Sequence, residues 1–375
     1  MGGAGAPPLG SLGETTPEIW LPRRAGCVSS GVSEMENVDL NAAIRDGSFT
    51  SLPATAFTAE RLTARNAAGN TPLHVAAKCG RLRDLPAAAL TGENLAFKND
   101  AGYTPLHHAA IGGHLDQIPP ARLTEETLAI RSNAGISVFH LAAAHGHLDQ
   151  LPTGLLTAEV ILRRTDVGNT LLHEAIENGA LNRIPAQHLT AENFAQKNLG
   201  GETVLHVGAF NGHLDQVPPA FLTQAALRET TSAGDTVFHA AAISGHLEQI
   251  PSPLLSHDNL VLASKSGFTA IHAAAETGQL NKIPVKQLTG DLLLTRNDNG
   301  DTPLHAAAYE GHLDQVPLEL LSLETVSTRN YDGVSVGKTA SDRGFHKQIP
   351  DGARPKTMSP FRRFLHNIGA SKVPF

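Results

Sequence analysis

The sequence predicts an all-α solenoid: eight full units of one 33-residue repeat, bounded by degenerate terminal units. Three registered ladders carry this prediction. Glycine recurs every 33 residues from Gly69 and Gly102 to Gly300 and Gly333, with no insertion between them. Five positions after each of the first eight stands a histidine, from His74 and His107 to His272 and His305. A second glycine ladder runs from Gly47 to Gly344, and each of its ten members is followed six residues later by proline, from Pro53 to Pro350.

The first element of each unit is a short helix. In Asn70–Gly80, Thr71 is the N-cap, Pro72 takes the first helical position, and Gly80 ends the helix in a conformation that only glycine adopts cheaply. His74 falls at the third helical position, where its ring can reach back to the cap as a capping-box glutamate would. Leu73, Ala76 and Ala77 share one face, and the two alanines let the next copy approach closely.

The second half of the unit cannot be one helix. In the copy that starts at His114, a helix begun at Leu115 would be broken by Pro119. The pattern predicts a single turn over Leu115 to Gln117, a new short helix opened by Pro119, and a third short helix capped by Thr124. Glu125 and Glu126 suit the first turn of that third helix, beside the positive end of its dipole. Leu115, Ile118, Leu123 and Leu128 supply the buried face, and Leu214, Val217, Leu222 and Leu227 repeat the spacing.

The strings at Gly69 (GNTPLHVAAKCGRL), Gly102 (GYTPLHHAAIGGHLD) and Gly300 (GDTPLHAAAYEGHLD) resemble the ankyrin repeat in period, TPLH opening, alanine pair and GH turn. The resemblance implies stacked antiparallel helix pairs joined by protruding loops, with a protein partner held on the loop tips and the inner helices. The chain departs from the family after GHL, where an apolar helix ending in GADVN is usual and DQIP followed by LTxENL stands instead.

The domain reading is a disordered leader rich in Gly, Ala and Pro at 1–35, an ankyrin-type solenoid at 36–350, and a basic amphipathic segment at 351–375. Residues 38–66 match the second part of a unit but carry Asn41 in the histidine column, and 333–350 replace TPLH with Ser335, Val336, Gly337 and Lys338, so both are read as caps. In 351–375, Phe361, Phe364, Leu365 and Ile368 fall at helical spacing while Arg362 and Arg363 point elsewhere. That segment either covers the last unit or contacts an enzyme or an anionic membrane, as a targeting subunit would.

Composition excludes several classes of function. Aromatic residues are only 5% and glycines number 35, which suits thin, closely packed elements rather than one thick core. Two cysteines, Cys27 and Cys79, cannot form a disulfide framework, and neither lies in a CxxC pair, so a reducing, cytoplasmic setting is expected. No secretory pattern or membrane span is read in the chain. Between residues 38 and 350 there are 22 basic and 31 acidic groups, an unpromising surface for nucleic acid.

Candidate chemistry is weighed residue by residue. Eight of the 19 histidines lie in the TPLH column and five more in the GH turn, and neighbouring copies stand too far apart to share a zinc ion. His140, His145 and His147 form the only local cluster, and a structural role outweighs a metal site. Gly333–Thr339 has three residues, not four, before its GKT, so it reads as a degenerate unit rather than a phosphate loop. Cys79 reads as an ordinary exposed thiol. No catalytic set and no cofactor are expected, and the chain is read as a monomeric, non-enzymatic scaffold for another protein.

The partner site is read from columns that vary while their neighbours stay constant. These are the position after each first glycine and the pair before each second glycine. They nominate Tyr103, Ile111, Ile136, Phe210, Phe268, Asp301 and Tyr309, because apolar and aromatic side chains on a free surface have no folding reason to be there.

Overall fold

A computed structural model describes residues 39–353 of the 375. The leader expected at 1–35 and nearly all of the basic segment expected at 351–375 lie outside the described residues. What is described is an all-α solenoid, with isolated bridges but no strand among the described residues.

Ten inner helices recur at the 33-residue period: α1 (Leu40–Asp46), α2 (Pro72–Cys79), α3 (Pro105–Gly112), α4 (Val138–Ala144), α5 (Leu171–Glu177), α6 (Val204–Asn211), α7 (Val237–Ser244), α8 (Ala270–Glu276), α9 (Pro303–Glu310) and α10 (Val336–Asp342). Each packs on the next, and no other helix pairs share so large an interface. Ala76, Ala77, Ala109 and Ala110 have no exposure at all, as the close approach of the inner helices requires. The degenerate unit at Gly333 folds like the others, with Ser335 capping α10 through a bond from the Lys338 amide at 3.2 Å.

The outer layer is a broken chain of short pieces. In the unit of α3 these are 3₁₀ turns at Leu115–Gln117 and Pro120–Arg122, then an α-helical turn at Glu125–Leu128 capped by Thr124. The short helix expected after Pro119 is thus a 3₁₀ turn. Three residues before the next break leave room only for i→i+3 bonding. Leu115, Ile118, Leu123 and Leu128 are all buried, whereas in the copy of α6 Leu222 is only half buried. There Phe221 packs on Phe194, with ring centroids 5.0 Å apart, and so takes up part of the cover.

Units are joined by tight hairpins, five of which close with an isolated antiparallel bridge such as Arg131 to Ser137. Gly102 shows why the hairpin needs glycine: its φ is +78°, and a Cβ there would lie 2.6 Å from the Asn133 amide of the next hairpin. Successive hairpins therefore touch backbone to backbone.

Candidate functional site

Two faces must be separated, the one that holds the units together and the one left free. The histidine column belongs to the first. In the unit of α5, Nδ1 of His173 accepts from the Thr170 amide at 3.2 Å and lies 2.8 Å from the Thr170 hydroxyl, while Nε2 donates to the Glu202 carbonyl at 3.2 Å. An acceptor at Nδ1 and a donor at Nε2 fix the neutral ring. His74, His107, His206, His239, His272 and His305 likewise bond from Nε2 to a carbonyl 29 residues on, in the next unit. Burial lowers the pKa of all eight, to about 4 for His107, His140, His173 and His206. His140 bonds instead to the Arg163 carbonyl at 3.1 Å, so both its nitrogens are occupied and neither is turned to a metal. Among the described residues no group of three His, Cys, Asp or Glu could hold a metal ion.

A second clamp went unread in the sequence. Gln150 accepts from the Leu115 amide at 2.9 Å and donates to the Gly113 carbonyl at 2.8 Å, grasping the turn of the preceding unit with both ends of its amide. Gln117 and Gln216 do the same. The recurring DQ pair was the visible signal. Its meaning lies in the neighbouring unit, where a sequence pattern alone does not reach.

The free face is built from hairpin tips and the exposed side of the inner helices. Phe210 on α6 and Tyr309 on α9 stand out with 55% and 50% of their surface exposed. Ile111 on α3 is half buried. Tyr103, on a hairpin tip, is half buried against the rings of His107 and His108, at centroid distances of 5.3 and 6.0 Å. Ile136 differs from the expectation: only 9% exposed, it is part of the packed structure rather than a free residue. An isoleucine has no polar tip to keep in water and gains by turning down onto the surface beside it.

Phe268, Asp301 and Tyr309 come together, although 41 residues separate the first from the last. They line a groove of ≈ 450 Å³ between the hairpins and the inner helices α8 and α9, closed at one end by Asp342 of α10 and the adjoining Arg343. Phe268 packs on His272 at 5.4 Å, and the guanidinium of Arg343 lies over the Tyr309 ring, 3.9 Å from its centroid. Glu276 and Glu310 add carboxylates. A second hollow, of ≈ 500 Å³, lies over the GH turns and is lined by His145, His147, Asp149 and Arg183. Ala144, His145 and Asn178 of its lining also stand in the variable pair before a second glycine, but none of the residues nominated from the columns lines it.

In the middle of the face Glu174 is buried, and burial pushes its carboxyl up to about 7 although Asn169 donates to it at 3.1 Å. Neighbouring Glu177 raises it further and is itself raised, first by burial and then by Glu202. Column reasoning overlooked Ile243, Glu276 and Arg343, though all three stand in the variable pair before the second glycine. Cys79 is exposed.

Residues 239–330 match the family model described as ankyrin repeats (3 copies). Over that stretch the chain carries ankyrin repeats. The matched stretch includes α8, α9 and the hairpins that bear Phe268 and Asp301. No curated protein matches the chain significantly. Ankyrin repeats generally mediate protein–protein interactions, and the helices described here include none long and apolar enough to cross a membrane.

Proposed function

We propose that the chain is a non-enzymatic scaffold whose ankyrin units hold a partner protein on the hairpin tips and the exposed side of the inner helices. One observation carries this reading. The residues that build the interfaces between units recur almost unchanged, while the side chains nominated by variation include the exposed Phe210 and Tyr309 and three that share one groove. Packing does not dictate them, and exposed aromatics in a groove are what a protein interface uses as anchors. The acidic balance of the repeats argues for a protein partner over nucleic acid. We place the scaffold in the cytoplasm as a monomer.

The test is a footprint. The partner is captured from the native cell with the intact chain, and amide hydrogen exchange is compared with and without it. Protection should gather at the hairpin tips and the outward side of α6 to α10. Protection confined to the outer 3₁₀ turns would contradict the proposal.

A further inference from the structure

The groove between α8, α9 and α10 has a chemical character of its own. One wall is aromatic, Phe268 and Tyr309, and around it stand the carboxylates of Glu276, Asp301, Glu310 and Asp342. Among the described residues, Asp342 is paired with Lys338 at 2.6 Å, but Glu276, Asp301 and Glu310 have no basic partner. The Asp301 carboxylate accepts from the Asn330 side-chain amide at 2.8 Å. Arg343 over Tyr309 shows what such a wall accepts, a planar cation stacked on a ring. The groove is thus complementary to a segment that alternates arginine with apolar side chains.

One such segment belongs to this chain. Residues 354–375 contain five basic residues (Arg354, Lys356, Arg362, Arg363 and Lys372) and no acidic one, with Phe361, Phe364, Leu365 and Ile368 among them. The segment continues directly from Ala353, in the same terminal unit as α10, whose Asp342 closes the groove. Ala353 lies in the outer layer beside Leu323–Val326, and the eight residues from Ala353 to Phe361 span up to about 26–29 Å when extended, against roughly 10 Å between packed helices.

We propose that residues 354–375 of the same chain occupy the groove between α8, α9 and α10, with Arg362 and Arg363 on its carboxylates. Tethering gives the segment an effective concentration in the millimolar range, so it excludes weak competitors and yields to a partner that binds well. That competition, unlike the contact itself, rests on the proposed function.

The experiment uses the full chain and a fluorescently labelled synthetic peptide of residues 354–375. The peptide is titrated into the unaltered chain and into the full chain carrying Arg362→Glu and Arg363→Glu. It should bind the substituted chain at least tenfold more tightly, because the chain's own segment no longer competes. Adding Glu276→Lys and Glu310→Lys to the substituted chain should abolish that gain, while the melting curve shows that the chain is still folded. Equal affinity for the first two chains overturns the proposal, as does a gain that survives the loss of Glu276 and Glu310. Two further results would also overturn it: self-association of the unaltered chain that Arg362→Glu and Arg363→Glu abolish, or a peptide that ignores both chains and binds phosphatidylserine vesicles. A failed titration leaves the hydrogen-exchange footprint of the partner untouched, so the two readings fail separately.

Discussion

At the scale of single residues, the histidine column decides how the protein responds to acid. Its eight members are held neutral, with pKa values below the ordinary 6.5, so protons favour the unfolded chain. Their contribution is whole above pH 6.5 and is lost as pH falls below it, toward 4 for His107, His140, His173 and His206. Glu174 acts in the opposite sense, since its raised pKa lets the folded chain hold a proton between about 4.5 and 7. One carboxyl cannot offset four histidines at about 4, so the folded chain loses stability as the medium is acidified. The urea midpoint should therefore fall between pH 7 and pH 5, and fall less in His173→Gln. A midpoint flat across that range would contradict the account. At pH 7, His173→Ala should cost about 1–3 kcal/mol, because the Thr170 amide and the Glu202 carbonyl both lose a partner. The sequence showed the first of these bonds, since a histidine at the third helical position faces its own cap. The second joins residues 29 apart and depends on how units stack, which no local pattern reveals. Ile136 illustrates the same limit: variation among copies says that packing does not dictate a residue, not that the residue stays in water.

At the scale of elements, proline set the outer layer and glutamine locks it. The proline break was legible because a ring without an N–H cannot continue a helix. The 3₁₀ character follows from the three residues available, but the sequence alone left room for an α-helical turn. Gln150→Ala removes two bonds to the turn of the preceding unit, so it should cost about 1–3 kcal/mol and speed exchange of the Leu115 amide. An unchanged Leu115 amide would mean that the clamp does not hold. Exposed ion pairs between units, such as Arg65 with Asp100 and Arg131 with Asp166, both at 2.6 Å, add little beside these ladders.

At the scale of the whole molecule, stability is a chain of like interfaces rather than one core, because each inner helix packs chiefly on its two neighbours. Deleting residues 168–233, two units in register, should leave a soluble chain with a cooperative melt, while an out-of-register deletion of 16 residues should not. The reverse result would refute the repeat architecture. The repeats, their register and the variable columns were all legible in the sequence, because a period needs only one dimension. The groove was not, since Phe268, Asp301 and Tyr309 meet only when consecutive units are stacked.

The central claim is that the free face binds and does not fold. It is tested most directly by Phe210→Ser with Tyr309→Ser, two side chains at least half exposed. The captured partner is titrated into both chains, and both are melted under the same conditions. The account predicts partner affinity at least tenfold weaker, a loss of about 1.4 kcal/mol or more, with a melting curve nearly unchanged. Undiminished affinity, or a lower melting temperature that accounts for the loss, would contradict it.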